Sequence, residues 1–207
     1  MSRYVKKVFH IAAALIGLQI LLAGLVLAYT TGTYGSGTYG SCDYGMACSI
    51  SLTSNGNISL NVTPTASGSC TIQSDSPQVL TDDANGYTLT LADNSTNTAL
   101  VNGASTIPPT TGTFASPAAL AANTWGYRVD GVGSFGSGPT VGQTNVSPGS
   151  ALFAGIVPST STPDTLASTA TAADPAVTTT VWFGACANTS TKSGAYTTQV
   201  LYTAVAN

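Results

Sequence analysis

The chain has 207 residues, 43% of them apolar and only 6% charged, with eight acidic residues that are all Asp and a sequence pI near 4.5. Disorder driven by charge repulsion is excluded by so few charges, and the apolar content is enough for a core. Arg3, Lys6 and Lys7 crowd the start, and only Arg128 and Lys192 are basic beyond residue 30, so no basic surface exists to neutralise phosphates and nucleic acid is not an expected partner.

Residues 1–29 read as an export segment. A short basic start precedes an apolar run from Ile11 to Ala28, interrupted only by Gln19. The charge pattern places the start in the cytoplasm and the remainder outside. Val26-Leu27-Ala28 suits a signal peptidase, while the run is also long enough to span a bilayer as a helix. The expectation is one N-terminal hydrophobic helix, either a cleaved signal peptide or an uncleaved membrane anchor. A type IV pilin helix is excluded, because no Glu exists to sit just inside a processed helix.

Residues 30–48 form a ladder in which Tyr34, Tyr39 and Tyr44 each precede Gly at five-residue intervals. Gly and Ser make this stretch a flexible tether. The second reading is that its tyrosines pack on a neighbouring copy or on an envelope polymer.

From Ser49 to Asn207 the pattern is that of one β domain. Ile50 and Leu52, then Ile58, Leu60 and Val62, alternate with polar residues on either side of Asn55-Gly56, a pair that suits a two-residue hairpin turn. Two short strands broken at Pro77 follow in "SCTIQSDSPQVL". Tyr87, Leu89 and Leu91 alternate with Thr88 and Thr90, which predicts a strand with one wet face. Further strands are expected around Trp125–Val129, in "ALFAGIV", and on both sides of Lys192-Ser193-Gly194. In the last, Tyr196, Thr198, Val200, Tyr202 and Ala204 share one face. "SPAALAANTW" is the one candidate for a helical turn. The stretch between Pro148 and Pro175 reads as long loops with short edge strands. The fold class expected is all-β: an antiparallel sandwich of the immunoglobulin or jelly-roll Greek-key kind.

Four cysteines in an exported chain imply disulfides. Three pairings are open. The favoured one joins Cys70 to Cys186 and closes a small loop between Cys42 and Cys48. A zinc site lacks the spacing and the histidines it needs.

Catalytic chemistry is poorly supplied. The single histidine, His10, lies in the export segment and Glu is absent. A Ser-His-Asp triad or a Cys-His pair therefore cannot form in the exported part, and the chain is read as non-enzymatic, without cofactor. Asp82, Asp83 and Asn85 in "TDDANGY" offer oxygen ligands without EF-hand spacing, so they read as a polar turn before Tyr87. Trp125, Tyr127 and Trp182 fall within strands; they are either core residues or, together, a surface platform for carbohydrate. Arg128 and Asp130 share a strand face and are expected to pair. The sequons at Asn57, Asn61, Asn94, Asn145 and Asn188 are no more than a Ser/Thr-rich chain yields by chance.

The stretches "NISLNVTPTASGSCTIQSD", "DDANGYTLTLADNS", "NTWGYRVDG" and "SGAYTTQVLYTAV" resemble exported β-sandwich surface proteins of the ultra-small, host-attached bacteria of the candidate phyla radiation. More loosely they resemble the WxL-type and pilin-like domains of bacterial surfaces. The resemblance covers most of residues 30–207 and implies surface display, with adhesion or envelope structure as the role and copies of the chain, a host cell or an envelope polymer as partner. It brings no catalytic residues. The chain departs from WxL proteins in lacking that motif, and it shows no carboxy-terminal sorting signal, so sortase attachment is not expected.

Overall fold

The computed structural model describes residues 4–15 and 48–207. Within them every regular element is a strand: β1 Tyr4–Leu15, β2 Ile50–Thr53, β3 Ile58–Asn61, β4 Ser69–Asp75, β5 Gln78–Thr81, β6 Tyr87–Asp93, β7 Leu100–Asn102, β8 Ser105–Ile107, β9 Ala118–Ala119, β10 Trp125–Val129, β11 Gln143–Val146, β12 Leu152–Phe153, β13 Asp164–Ser168, β14 Ala173–Thr178, β15 Val181–Ala187 and β16 Gly194–Ala206. The all-β sandwich is as expected. The helix expected within residues 1–29 falls mostly outside the described residues, and the part described, Tyr4–Leu15, is strand β1.

The larger sheet runs β13-β6-β16-β1-β3, with β7 paired to β16 and β8 to β7; a four-stranded sheet, β10-β15-β4-β11, belongs to the opposite layer. A three-stranded sheet, β14-β5-β2, and a ribbon of β12 with β9 complete the fold. Strand pairing is antiparallel except between β1 and β3. The main core is filled from both layers: Leu60, Leu89, Leu91, Tyr196, Val200 and Tyr202 meet Trp125, Tyr127, Val129, Val181 and Phe183. The alternation read from Tyr87, Leu89 and Leu91 is the buried face of β6, and Tyr196, Val200, Tyr202 and Ala204 are the buried face of β16.

Strands β2 and β3 do not form the expected hairpin. β2 pairs with β5, and β3 pairs with β1 in another sheet. Gly56 takes a positive φ of 92° while Asn55 does not, so the two-residue primed turn is absent. The Asp75 carboxylate instead accepts a 2.9 Å hydrogen bond from the Asn55 amide and fixes the link between layers. Both strands satisfy their alternation in the same core, from different sheets, and local pattern does not distinguish that from a hairpin.

Strand β15 is buried on both faces. Val181, Phe183 and Ala185 face the main core. Trp182 and Cys186 join Cys70, Ile72, Leu120 and Phe153 in a second apolar cluster. Phe153 belongs to β12 and Leu120 follows β9, so the ribbon roofs the outer face of the four-stranded sheet. The segment "SPAALAANTW", expected to hold a helical turn, contributes strand β9 to that roof.

Candidate interaction surfaces

The sequence offered an aromatic platform, and the fold removes it. Trp125 and Tyr127 lie on the core face of β10 with no exposed surface, and Trp182 is 4% exposed. Each polar tip has a partner: the Trp125 indole donates to the Thr98 carbonyl at 3.0 Å, the Trp182 indole to Asp130 at 2.7 Å, and the Tyr127 hydroxyl to Asp164 at 2.6 Å. These three residues are corrected from candidate surface contacts to core residues, since a ring must present a free face to stack on a ligand. The cause is β-strand alternation, which puts Trp125, Tyr127 and Val129 together on the inner side of β10. Tyr34, Tyr39 and Tyr44 lie outside the described residues.

On the outer side of β10, Arg128 is wholly buried beneath the loop between β10 and β11. Its guanidinium donates to the carbonyls of Gly136 (2.9 Å) and Leu152 (3.3 Å) and lies 5.9 Å from the Phe135 ring centroid. The expected partner Asp130 stands 3.7 Å away. Burial lowers the Arg128 pKa and Asp130 opposes that shift. Gly138 packs on the guanidinium so closely that a Cβ there would overlap it. Arg128 thus holds the loop down and offers no charge to a ligand.

Asp82, Asp83 and Asp93 likewise serve the fold. In "TDDANGY" the Asp82 carboxylate accepts from the Ser49 amide at 2.6 Å, and that of Asp83 from the Asn85 amide at 2.9 Å. Gly86 closes the turn at φ 81°, as a polar turn before β6 requires. Among the described residues no group of three or more His, Cys, Asp or Glu is placed to hold a metal ion. Asp93 sits beside a hollow of about 220 Å³ lined by Asn94, Asn97, Thr197 and Gln199 together with Ala99 and Val101. Its carboxylate accepts from Ser95 at 2.8 Å (amide) and 3.0 Å (hydroxyl) and from the Thr198 hydroxyl at 3.0 Å. Burial pushes the Asp93 pKa up, and these hydrogen bonds partly restore it.

The favoured disulfide is present. Cys70 and Cys186 face each other across β4 and β15 with Cα atoms 4.0 Å apart, and both are buried. The Cys186 amide donates to the Thr124 carbonyl and not to Cys70, which marks a narrow, non-hydrogen-bonded pair. Cys48 is also disulfide-bonded; Cys42 lies outside the described residues.

Sheet edges are a further surface feature of the described residues. β14, an edge of the three-stranded sheet, carries Pro175, and its register with β5 shifts between Ala173 and Val177. Pro and irregular pairing both blunt an edge against further strands. β13, an edge of the larger sheet, has a similar shift between Thr165 and Ala167. Among the described residues no helix is long and apolar enough to cross a membrane. No family model matches the chain, and no curated protein or solved structure shows significant similarity to it.

Proposed function

We propose that the chain is a non-enzymatic protein of the cell exterior, a structural or adhesive subunit that assembles with copies of itself. The observation that carries this reading is the buried Cys70–Cys186 disulfide, a bond kept in oxidising compartments, in a chain that opens with a basic-then-apolar export segment. The single histidine, the absence of Glu and the use of the carboxylates as turn caps and buried hydrogen-bond acceptors support a supporting role over a chemical one. Partners are further copies, a host cell or an envelope polymer, with the membrane added if the N-terminal segment stays uncleaved. The carbohydrate-module reading has lost the aromatic platform on which it stood. The test is mass spectrometry of protein from its own cells, with and without reduction, alongside protease treatment of intact cells. Expected are oxidised cysteines and loss of the protein to external protease; free thiols in a protease-protected protein overturn the proposal.

A further inference from the structure

The sequence holds three Asn-Gly pairs, Asn55-Gly56, Asn85-Gly86 and Asn102-Gly103. Glycine lacks a Cβ, so its amide nitrogen is the least hindered in a chain and can attack the side-chain amide of the residue before it. Ring closure needs that nitrogen and the Asn Cγ to approach within about 3–3.5 Å, with the Asn backbone free to turn. The fold places the three pairs in different surroundings.

We infer that Asn55 is a site of spontaneous deamidation, and that the fold protects Asn85 and Asn102. Asn55 is exposed, and residues 54–57 form no ladder because β2 and β3 belong to different sheets. A Cβ built on Gly56 would meet nothing within 4 Å, so the ring has room to form. The Gly56 amide donates to the Ser54 hydroxyl at 3.2 Å, a side chain that can rotate away. Gly86, by contrast, is buried. Its amide donates to the Asp83 carbonyl at 2.9 Å, the Asn85 amide donates to the Asp83 carboxylate at 2.9 Å, and the Asn85 carbonyl accepts from the Asn207 side chain at 3.1 Å. Thr169 fills the space a Cβ on Gly86 would take. Asn102 ends β7 opposite Ser105. Its side-chain amide packs on Gly194 so closely that a Cβ there would overlap it, and Nδ2 reaches the Ser193 carbonyl at 3.5 Å. Strand pairing and that packing fix both the backbone and the side chain of Asn102.

In the reaction the Gly56 nitrogen gives its proton to hydroxide and bonds to the Asn55 Cγ. The Cγ–Nδ2 bond breaks, and Nδ2 leaves as ammonia with a proton taken from water. Water then opens the succinimide, at Cγ to give Asp or at the backbone carbonyl to give isoaspartate, whose main chain runs through Cγ. The sum is Asn plus water to a carboxylic acid plus ammonia, so water is the one co-reactant, and the inference stands apart from the exported reading above. Either product adds a negative charge next to Asp75, whose carboxylate accepts from the Asn55 amide at 2.9 Å. The isoaspartate form also lengthens the backbone by one carbon in the link that carries the chain from one sheet to the other. The mark accumulates with age where the layers are joined, and aged protein should melt lower than fresh protein.

The test incubates the purified full chain at mildly alkaline pH, folded and in parallel in denaturant. Samples are digested with pepsin in acid, where the reaction is slow, and sequenced by electron-transfer mass spectrometry, which separates Asp from isoaspartate. Each event adds about one dalton. In the folded protein Asn55 should convert at least about tenfold faster than Asn85 or Asn102, and in denaturant the three rates should converge. The Asn55→Gln variant, whose longer side chain closes a ring slowly, should lack the acidic band that grows in wild type on isoelectric focusing. Asn55 that stays intact in the folded protein while the denatured chain converts overturns the inference. So does Asn85 or Asn102 converting as fast as Asn55 in the folded protein, or an acidic band that grows equally in Asn55→Gln.

Discussion

The Tyr127 hydroxyl donates a 2.6 Å hydrogen bond to the Asp164 carboxylate and so ties β10 of the four-stranded sheet to β13 at the edge of the larger one. Few polar contacts cross a sandwich core, and this one leaves a half-buried carboxylate without its donor if the hydroxyl is removed. Tyr127→Phe should lower stability by about 1–3 kcal/mol in denaturant unfolding. Asp164→Asn keeps an acceptor and should cost less; equal losses would show that the hydrogen bond is not the source.

The same carboxylate sets a pH dependence. Asp164 and Asp93 are both held above the ordinary Asp pKa, chiefly by burial. A raised folded-state pKa favours the protonated folded form. Their contribution is complete below the unfolded value, about 3.9, and is lost as pH rises through the folded values. The gap in melting temperature between wild type and the Asp93→Asn, Asp164→Asn double variant should therefore widen in favour of wild type as pH falls from 7 towards 4. A gap that narrows on acidification contradicts the burial argument.

The disulfide closes a long loop, since Cys70 and Cys186 are 116 residues apart. Replacing both with Ala should cost about 2–5 kcal/mol, seen as a lower denaturant midpoint. The β4–β15 register from Asp75↔Val181 to Ser69↔Ala187 gives the pair a second source of alignment, so the variant should retain the β-sheet circular dichroism of wild type.

Arg128→Met should free the loop between β10 and β11. Two carbonyls, those of Gly136 and Leu152, lose their donor, at a cost of about 1–3 kcal/mol. The diagnostic result is new proteolytic cleavage in residues 131–142 below the melting temperature. A stability loss without new cleavage there would assign Arg128 to general packing.

Trp125→Ala should act on stability and not on a ligand. Removing a fully buried indole costs about 3–5 kcal/mol. Glycan binding that disappears in a variant with unchanged melting temperature would restore the carbohydrate reading.

Much of this architecture is written in local pattern, and the rest is not, for identifiable reasons. The inner faces of β6 and β16 follow from alternation, because each has one face on the core. The run "VWFGACA" of β15 gives no alternation, because Leu120 and Phe153 cover its second face from elements distant in sequence. Asn55-Gly56 marks the break between two strands correctly and the partnership of those strands incorrectly, since sheet membership is a non-local property. The aromatic positions were legible as strand residues; their burial depended on which side of β10 and β15 each layer packs. Residues 4–15 were read for their behaviour in lipid, whereas in the sheet the same residues form β1 between β16 and β3.

The scarcity of basic residues has a practical sequel. Arg128 is sealed under its loop, and Lys192, exposed in the turn before β16, is the other basic residue of the stretch 48–207. To an enzyme that cuts after Arg or Lys, the folded domain presents one bond, Lys192–Ser193, and to an amine-reactive label that stretch presents one side chain. Trypsin becomes a sensitive reporter of opening at a single loop, and a dye placed at Lys192 marks every domain at the same point.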